Sequence, residues 1–215
     1  MSISIVPIGR CFAGEVSGVD LRRPLSPETV AAIDSGMDEY AVLVFRGQDI
    51  SDEEQLAFSR ALGPIESSIG GNITRLDQRR LGTDIADVSN LDQNQNIYAR
   101  DDRRRLFNLG NRLWHSDSSF RAIPAKYSLL SARSIPADGP NTEYADMRAA
   151  YDALDDKIKA EVEGLICEHS LMYSRGQLGF TDFTEEEQQT FAPVRQVLVR
   201  THPVTMRRSL FLASH

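Results

Sequence analysis

The stretch LWHSDSSF, residues 113–120, decides how this sequence is interpreted. It places His115 and Asp117 two positions apart, and on an extended strand residues two apart point to the same face. An imidazole beside a carboxylate suits a divalent ion, and a second His would complete the two-His, one-carboxylate set that holds non-haem Fe(II). The same spacing occurs in a surface pair, or where an Asp accepts a hydrogen bond from a His. By spacing alone, both interpretations stay open.

Three blocks of sequence carry a resemblance to a known family. The first is VLVFRGQ at 42–48, the second is Trp114–Asp117, and the third is GPNTEYADM at 139–147. In this order they resemble the taurine dioxygenase family of Fe(II)- and 2-oxoglutarate-dependent oxygenases. Residues 114–120 and 146–154 resemble its 2,4-dichlorophenoxyacetate dioxygenase branch. The resemblance extends from about Phe12 to the last residue, and it favours metal ligation for His115 and Asp117.

The composition is that of one soluble domain. The chain has 215 residues, 41% hydrophobic and 26% charged, which is enough for a substantial core. A net charge of −7 disfavours nucleic acid or an anionic membrane as the main partner, although local cations could still bind an anionic substrate. No basic leader and no long apolar run is present, so the sequence predicts a cytoplasmic protein. Cys11 and Cys167 are expected to be buried free thiols.

An α/β segment is predicted at the start of the chain. Phe12–Leu21 predicts a short strand and turn. Ser26 followed by Pro27 is typical of a helix N-terminus, and Ser51–Glu54 reads as the capping box of a second helix. Between the two helices, the apolar run Ala41–Phe45 predicts a strand buried on both faces.

Residues 66–111 are polar and irregular, with only Ile85–Leu91 resembling a strand. A long irregular stretch inside a compact domain is usually functional or disordered, and the resemblance implies a mobile lid over the site. The basic cluster Arg100–Arg105 contains Asp101 and Asp102 and no interleaved aromatic residues. A solvated or ion-paired surface segment is therefore a better interpretation than nucleic-acid binding, and contact of one Arg with a substrate carboxylate is a weaker alternative.

The second half of the chain is predicted to alternate strands, turns and helices. Strands are predicted at 127–132, 142–145, 196–200 and 209–212. The last two would form a hairpin, and its turn carries Met206 where family members usually have glycine. That turn either accepts a positive φ or is of another type. Asp146 and Asp155 are expected to begin helices, and the acidic Phe180–Phe191 is expected to be a surface excursion.

Short strands with attached helices suggest an α+β or distorted all-β domain. The resemblance implies a mainly β fold with flanking helices, a double-stranded β-helix or jelly roll, as a single catalytic domain over residues 1–215. The family takes its second His, and the Arg that binds 2-oxoglutarate, from beyond the point where this chain stops. After Asp117 come only His169, His202 and His215, none of them in that distal motif. The expectation is a roll truncated at its C-terminus, with little turnover by itself.

The resemblance also implies the cofactor and the site residues. Iron would bind 2-oxoglutarate and O2, and the co-substrate would yield succinate and CO2. Thr142 and Asn111 match positions near 2-oxoglutarate, whereas His202 and Ser118 are assigned to the substrate side. Without the resemblance, Thr142 is an ordinary strand residue and Asn111 an ordinary turn residue.

Four functions remain as alternatives. The first is hydroxylation of a small anionic phenoxyacetate-type aryl ether, which would collapse to a phenol and glyoxylate. The second is the same chemistry on a sulfonate or alkyl sulfate, and the third is an inactive jelly-roll binding module. A zinc hydrolase is disfavoured because no candidate base or His-Glu motif accompanies the pair. A homo-oligomer is left open.

Overall fold

The computed structural model describes residues 3–68, 72–139 and 141–214. The chain divides into two compact units. Unit 1 comprises Met1–Ile65, Leu129–Glu161 and Val199–Leu210, and unit 2 comprises Glu66–Ser128, Val162–Leu198 and Phe211–His215. His215 lies outside the described residues. The expectation of one catalytic domain with a lid at 66–111 stays a prediction.

The described residues form seven short strands and seven α-helices. The strands are β1 (Ser4–Pro7), β2 (Gly14–Ser17), β3 (Leu43–Phe45), β4 (Ile166–His169), β5 (Val194–Val197), β6 (Val199–Thr201) and β7 (Arg208–Leu210). The helices are α1 (Pro27–Tyr40), α2 (Asp52–Leu62), α3 (Arg103–Asn108), α4 (Met147–Asp152), α5 (Asp156–Val162), α6 (Leu171–Gln177) and α7 (Glu185–Thr190). Two 3₁₀ turns occupy Leu76–Gln78 and Leu109–Arg112. Helices account for more of these residues than strands do.

Unit 1 contains a three-stranded sheet in the order β1-β2-β3. β1 runs antiparallel to β2, with Ile5 opposite Val16, and β3 runs parallel to β2, with Phe45 opposite Val16. The strands predicted within Phe12–Leu21 and Ala41–Phe45 are both present. β3 is half-buried instead of buried on both faces, because it lies at an edge of the sheet. β1 was not predicted.

Both N-terminal helices begin where the sequence predicts. The Ser26 Oγ accepts a hydrogen bond from the Thr29 N–H at 3.3 Å, and Ser51 and Glu54 form a reciprocal capping box. These contacts satisfy amide groups that the first helical turn leaves without intrahelical partners. The apolar sides of the two helices contribute Ile33 and Phe58 to a core that also contains Leu21 and Ile50.

The last part of unit 1 is a helix packed against a hairpin. Asp146 caps α4 by accepting from the Arg148 N–H at 2.9 Å, and α4 packs on β7. β6 and β7 pair antiparallel, as predicted for the hairpin, and Met206 in its turn has φ 58°. The turn thus accepts a positive φ without glycine. No strand forms at 127–132 or 142–145, because extended residues become a strand only when a neighbour completes the ladder.

Unit 2 has a small sheet and an aromatic core. β4, which the sequence did not predict, pairs antiparallel with β5. The Phe107 ring meets the Phe180 ring edge to face at 5.7 Å, and Phe191 is buried in the same cluster. The prediction that Phe180–Phe191 is only a surface excursion was wrong, because its two terminal aromatic rings are core residues while α7 between them is exposed.

The polar stretch at 66–111 is mostly irregular, as expected. Ile85–Leu91 is not a strand, and Leu91 makes only an isolated bridge to Ile97. The basic cluster lies at the start of α3, where Arg103 pairs with Glu187 and Arg104 pairs with Asp102 at 2.8 Å. The interpretation of this cluster as an ion-paired segment is confirmed.

The structure also describes the two cysteines, His169 and the apolar character of the helices. Cys11 is exposed and Cys167 is half-buried, so burial of the first thiol was wrong. Cys11 lies in the short loop between β1 and β2, which has little room to bury a side chain. His169, at the end of β4, is buried and stacks on the Phe211 ring at 5.3 Å, as a structural residue would. Within the described ranges, no helix has the length and apolar character of a membrane span.

Candidate metal centre

The structure brings His115 and Asp117 together. The His115 Nε2 lies 3.1 Å from the Asp117 Oδ1. The expected strand is absent, because the chain is irregular up to Ser116 and then forms a turn at 117–120. This turn is closed by a hydrogen bond from the Arg121 N–H to the Ser118 carbonyl at 2.9 Å, and Ser118 has φ 57°. A turn, and not the alternation of a strand, places the acid beside the ring.

Hydrogen bonds hold both side chains in place. The His115 Nδ1 lies 2.6 Å from the Leu113 carbonyl oxygen, so Nδ1 carries the proton that is donated and Nε2 faces Asp117. The Ser128 hydroxyl donates to the Asp117 Oδ2. Such outer hydrogen bonds fix the tautomer and orientation of metal ligands. The pair therefore presents one nitrogen and one oxygen donor side by side.

The surrounding backbone is also anchored. The Ser116 hydroxyl donates to the Leu212 carbonyl at 3.1 Å, and the Ser214 N–H donates to the Trp114 carbonyl at 3.0 Å. Hydrogen bonds to the segment after β7 thus replace those of a strand ladder. Trp114 itself is exposed.

The electrostatics favour a protonated imidazole before any metal binds. The hydrogen bond to Asp117 raises the pKa of His115, while partial burial and the positive charge of Arg175 act against this increase. A divalent ion bound at Nε2 would displace that proton, because only the neutral ring is a ligand.

The spacing of the two donors fits a divalent ion. Around an octahedral ion with bonds of about 2.1 Å, adjacent donors lie ~3.0 Å apart, close to the observed separation. The side chains remain 25% and 57% exposed, so an ion can reach them. In the described part of the chain, no group of three or more His, Cys, Asp or Glu side chains could hold a metal. The pair is thus one edge of a coordination shell, without a third protein ligand among those residues.

Two other predicted residues lie in unit 2 with this pair. Asn111 is in the 3₁₀ turn Leu109–Arg112, and its Oδ1 accepts from the Arg175 Nη2 at 3.4 Å. The Ser118 hydroxyl donates to the Glu66 Oε1 at 2.9 Å. Both residues therefore carry polar groups that are already oriented by a charged neighbour.

The remaining two predicted residues lie in unit 1. Thr142 is exposed on an irregular segment. His202 begins the turn between β6 and β7, where its Nδ1 accepts from the Thr205 N–H at 3.2 Å and its Nε2 lies 3.5 Å from the Asp38 Oδ1. His202 is thus oriented by its own turn.

Sequence reasoning missed Arg175 on α6. Its side chain is buried, with 5% exposure, and burial lowers its pKa to about 10. Its neighbours are the Ser174 hydroxyl, Asn111 and the face of Phe107. Arg175 follows the buried Leu171 by four residues, so it lies on the buried face of the helix. That periodicity was the available signal.

Comparisons with known proteins agree on one family. The family described as Taurine catabolism dioxygenase TauD, TfdA family matches residues 4–215. The alpha-ketoglutarate-dependent 2,4-dichlorophenoxyacetate dioxygenase of Cupriavidus pinatubonensis is 43% identical over 100% of this chain and 75% of the relative. The (S)-phenoxypropionate/alpha-ketoglutarate-dioxygenase of Sphingobium herbicidovorans is 34% identical over 100% of this chain and 71% of the relative. The crystal structure of AAD-2 with Mn(II) and N-oxalylglycine has a TM-score of 0.96 and 59% identity, covering 100% of this chain and 74% of that one.

Proposed function

The chain belongs to the Taurine catabolism dioxygenase TauD, TfdA family, and on that premise we propose that it is an Fe(II)- and 2-oxoglutarate-dependent dioxygenase acting on a small anionic aryl ether of the phenoxyacetate type. The observation that carries the proposal is the 3.1 Å approach of the His115 Nε2 to the Asp117 Oδ1. The expected dependence on 2-oxoglutarate is confirmed by the family and by the relatives named for it. We propose a jelly-roll topology for this fold.

His115 and Asp117 are the residues that would hold the iron. When bound with 2-oxoglutarate and O2, the iron supplies the oxidising power that replaces a substrate C–H bond by C–OH. Leu113 holds the His115 ring through Nδ1, and Ser128 holds the Asp117 carboxylate. These contacts keep both donors in position. Metal binding would therefore need to order the two side chains very little further.

The substrate class follows from the relatives' names and from the balance of the reaction. Hydroxylation of the carbon between the ether oxygen and the carboxylate gives a hemiacetal, which breaks its C–O bond to yield a phenol and glyoxylate. The oxygen atom comes from O2, and 2-oxoglutarate is oxidised to succinate and CO2. The assignments of Asn111 and Thr142 to 2-oxoglutarate, and of Ser118 and His202 to the substrate, stay predictions.

Metal binding tests the centre directly. Trp114 is the only tryptophan in the chain and precedes His115, so Mn(II) should quench its fluorescence in a saturable way. His115→Ala removes one of the two donors and should weaken Mn(II) binding by at least ~100-fold, the upper range for losing a mere outer-shell partner. His202→Ala is the matched control and should bind Mn(II) as the parent does. Unsaturable quenching of the parent, or equal affinity in His115→Ala, would show that this pair is not the metal centre.

Product analysis tests the substrate class. The chain is given Fe(II), ascorbate and 2-oxoglutarate together with phenoxyacetate, a linear alkyl sulfate or taurine. Phenoxyacetate should release phenol and succinate in equal amounts, and more succinate should form with phenoxyacetate than with the alkyl sulfate or taurine. Succinate formed only with the alkyl sulfate or taurine would replace the aryl ether by that substrate.

A cytoplasmic location and the absence of nucleic-acid or membrane partners stay predictions, and a homo-oligomeric state stays open.

A further inference from the structure

Among the described residues, the buried guanidinium of Arg175 has only neutral hydrogen-bond partners. The Nη1 donates to the Ser174 Oγ at 3.1 Å, the Nη2 to the Asn111 Oδ1 at 3.4 Å, and the Nε has no hydrogen-bond partner. No carboxylate among the described residues forms an ion pair with it. A buried charge without a counter-charge is destabilising, and with a pKa of about 10 the group is still charged at neutral pH.

The position of this charge is enclosed on two sides. The face of Phe107 lies 4.8 Å from the guanidinium carbon. At Gly110, a Cβ would come within 2.3 Å of that carbon, so only glycine leaves room for the group. Arg175 therefore has little freedom to leave for solvent or for a distant carboxylate.

This fixed charge lies against the turn that leads into the metal centre. The guanidinium packs on Gly110, and its Nη2 donates to the Asn111 Oδ1 at 3.4 Å. The Gly110 carbonyl accepts from the Leu113 N–H at 3.1 Å, and the Leu113 carbonyl accepts from the His115 Nδ1. A divalent ion with one carboxylate ligand has one net positive charge, and a dianionic 2-oxo acid changes this to one net negative charge. A guanidinium nearby restores neutrality, and in a partly buried setting such charges are weakly screened.

We propose that Arg175 is a positioning residue whose buried positive charge favours the dianionic 2-oxo acid at the metal centre and disfavours the bare metal ion. The inference rests on the proposed function and adds to it the group that provides charge balance. In the ligand-free protein the unpaired cation is destabilising, and the negative charge of the bound 2-oxo acid removes this destabilisation.

The test compares two ligands in one variant. Mn(II) binding is followed by Trp114 fluorescence, and N-oxalylglycine binding to the Mn(II)-loaded protein is followed by titration calorimetry. Arg175→Met removes the charge, so it should bind Mn(II) at least as tightly as the parent and N-oxalylglycine at least ~10-fold more weakly. Arg175→Lys keeps the charge and should recover N-oxalylglycine affinity to within about threefold. Arg22→Met, which removes an exposed arginine paired with Asp20, is the control and should change neither affinity.

The two affinities distinguish electrostatics from packing. Loosened packing would weaken both ligands together, and that result, or unchanged binding of both, would overturn the inference. If Arg175→Met does not fold, Arg175→Lys decides: parent-like affinity for both ligands supports the role of charge, and a loss of N-oxalylglycine binding overturns it. A parent chain that binds neither probe would refute the proposed function, whereas a parent that binds both and an unaffected Arg175→Met refute only this inference.

Discussion

Two buried arginines, one in each unit, have opposite surroundings. Arg148 in unit 1 is 9% exposed, and its Nε and Nη2 donate to the two carboxylate oxygens of Asp146 at 2.9 and 3.0 Å. Its Nη1 donates to the carbonyls of Asp38 and Glu39. Arg175 in unit 2 is similarly buried, but its hydrogen-bond acceptors among the described residues are a hydroxyl and an amide.

The difference separates structural charge from functional charge. A bidentate carboxylate and two carbonyls compensate the Arg148 charge within the fold, so this residue joins the start of α4 to the end of α1. In the part of the chain that the structure describes, no carboxylate compensates the Arg175 charge. Strongly perturbed charges beside a candidate site are typical of groups that act on a ligand.

The largest expected effect comes from the same substitution at both positions. Arg148→Met leaves the buried Asp146 carboxylate without its partner and should reduce the free energy of unfolding by about 3–5 kcal/mol. Arg175→Met removes a charge that has no counter-charge and should not reduce it. Urea unfolding of both variants measures the two values. Equal losses would show that the two arginines play the same structural role and would remove the contrast.

A second substitution moves the Arg175 charge without removing it. Gly110→Ala places a Cβ within 2.3 Å of the guanidinium carbon, and the side chain must shift away. Overpacking of this kind costs about 1–3 kcal/mol, and N-oxalylglycine affinity should fall because the charge is displaced. Urea unfolding and calorimetry measure the two effects.

The control for Gly110→Ala is Gly82→Ala, where a Cβ would meet no atom within 4 Å. It should leave N-oxalylglycine affinity unchanged. Parent-like affinity in Gly110→Ala would mean that the position of the guanidinium does not matter to the ligand.

Helix starts and strands differ in how far the sequence alone could predict them. The starts of α1, α2 and α4 follow from capping residues within three positions of the helix, so local sequence is sufficient. β1 and β4 were missed, and the strands predicted at 127–132 and 142–145 were wrong. A strand depends on a partner that is distant in sequence, and a single chain does not identify that partner.

In the candidate site, too, the sequence could predict neighbours that are close along the chain but not those that are distant. His115 and Asp117 could be named as a pair because two positions separate them, although a turn brings them together and not a strand. Asn111 was named from the family resemblance. Arg175 lies sixty-four residues along the chain from Asn111, and no local pattern connects the two, so only the structure shows that they are neighbours.

The smallest expected effect concerns Arg103, which has a carboxylate partner as Arg148 does but is more exposed than either Arg148 or Arg175. Arg103 in α3 is 32% exposed at its side chain, and its hydrogen bond to Glu187 lowers the pKa of that carboxyl below its usual value near 4.5. An acid with a lowered pKa stabilises the fold above its unfolded-state pKa, and this contribution is lost as the pH falls through the folded-state pKa. Glu187→Gln keeps an amide that can complete the capping box with Thr184, so it isolates the charge.

Glu187→Gln should therefore cost about 0.5–1 kcal/mol of unfolding free energy near neutral pH, and this cost should shrink as the pH falls below the ordinary value near 4.5, because the stabilisation by the charge begins to be lost there. Urea unfolding at pH about 7 and about 3.5 gives the two differences. Glu185→Gln, in the exposed first turn of the same helix, is the matched control and should change stability little at either pH. An equal loss at both pH values would mean that Glu187 acts through its hydrogen bonds alone. The ion pair of Arg103 would then differ from that of Arg148 in kind, since charge compensation would stabilise only the fully buried one.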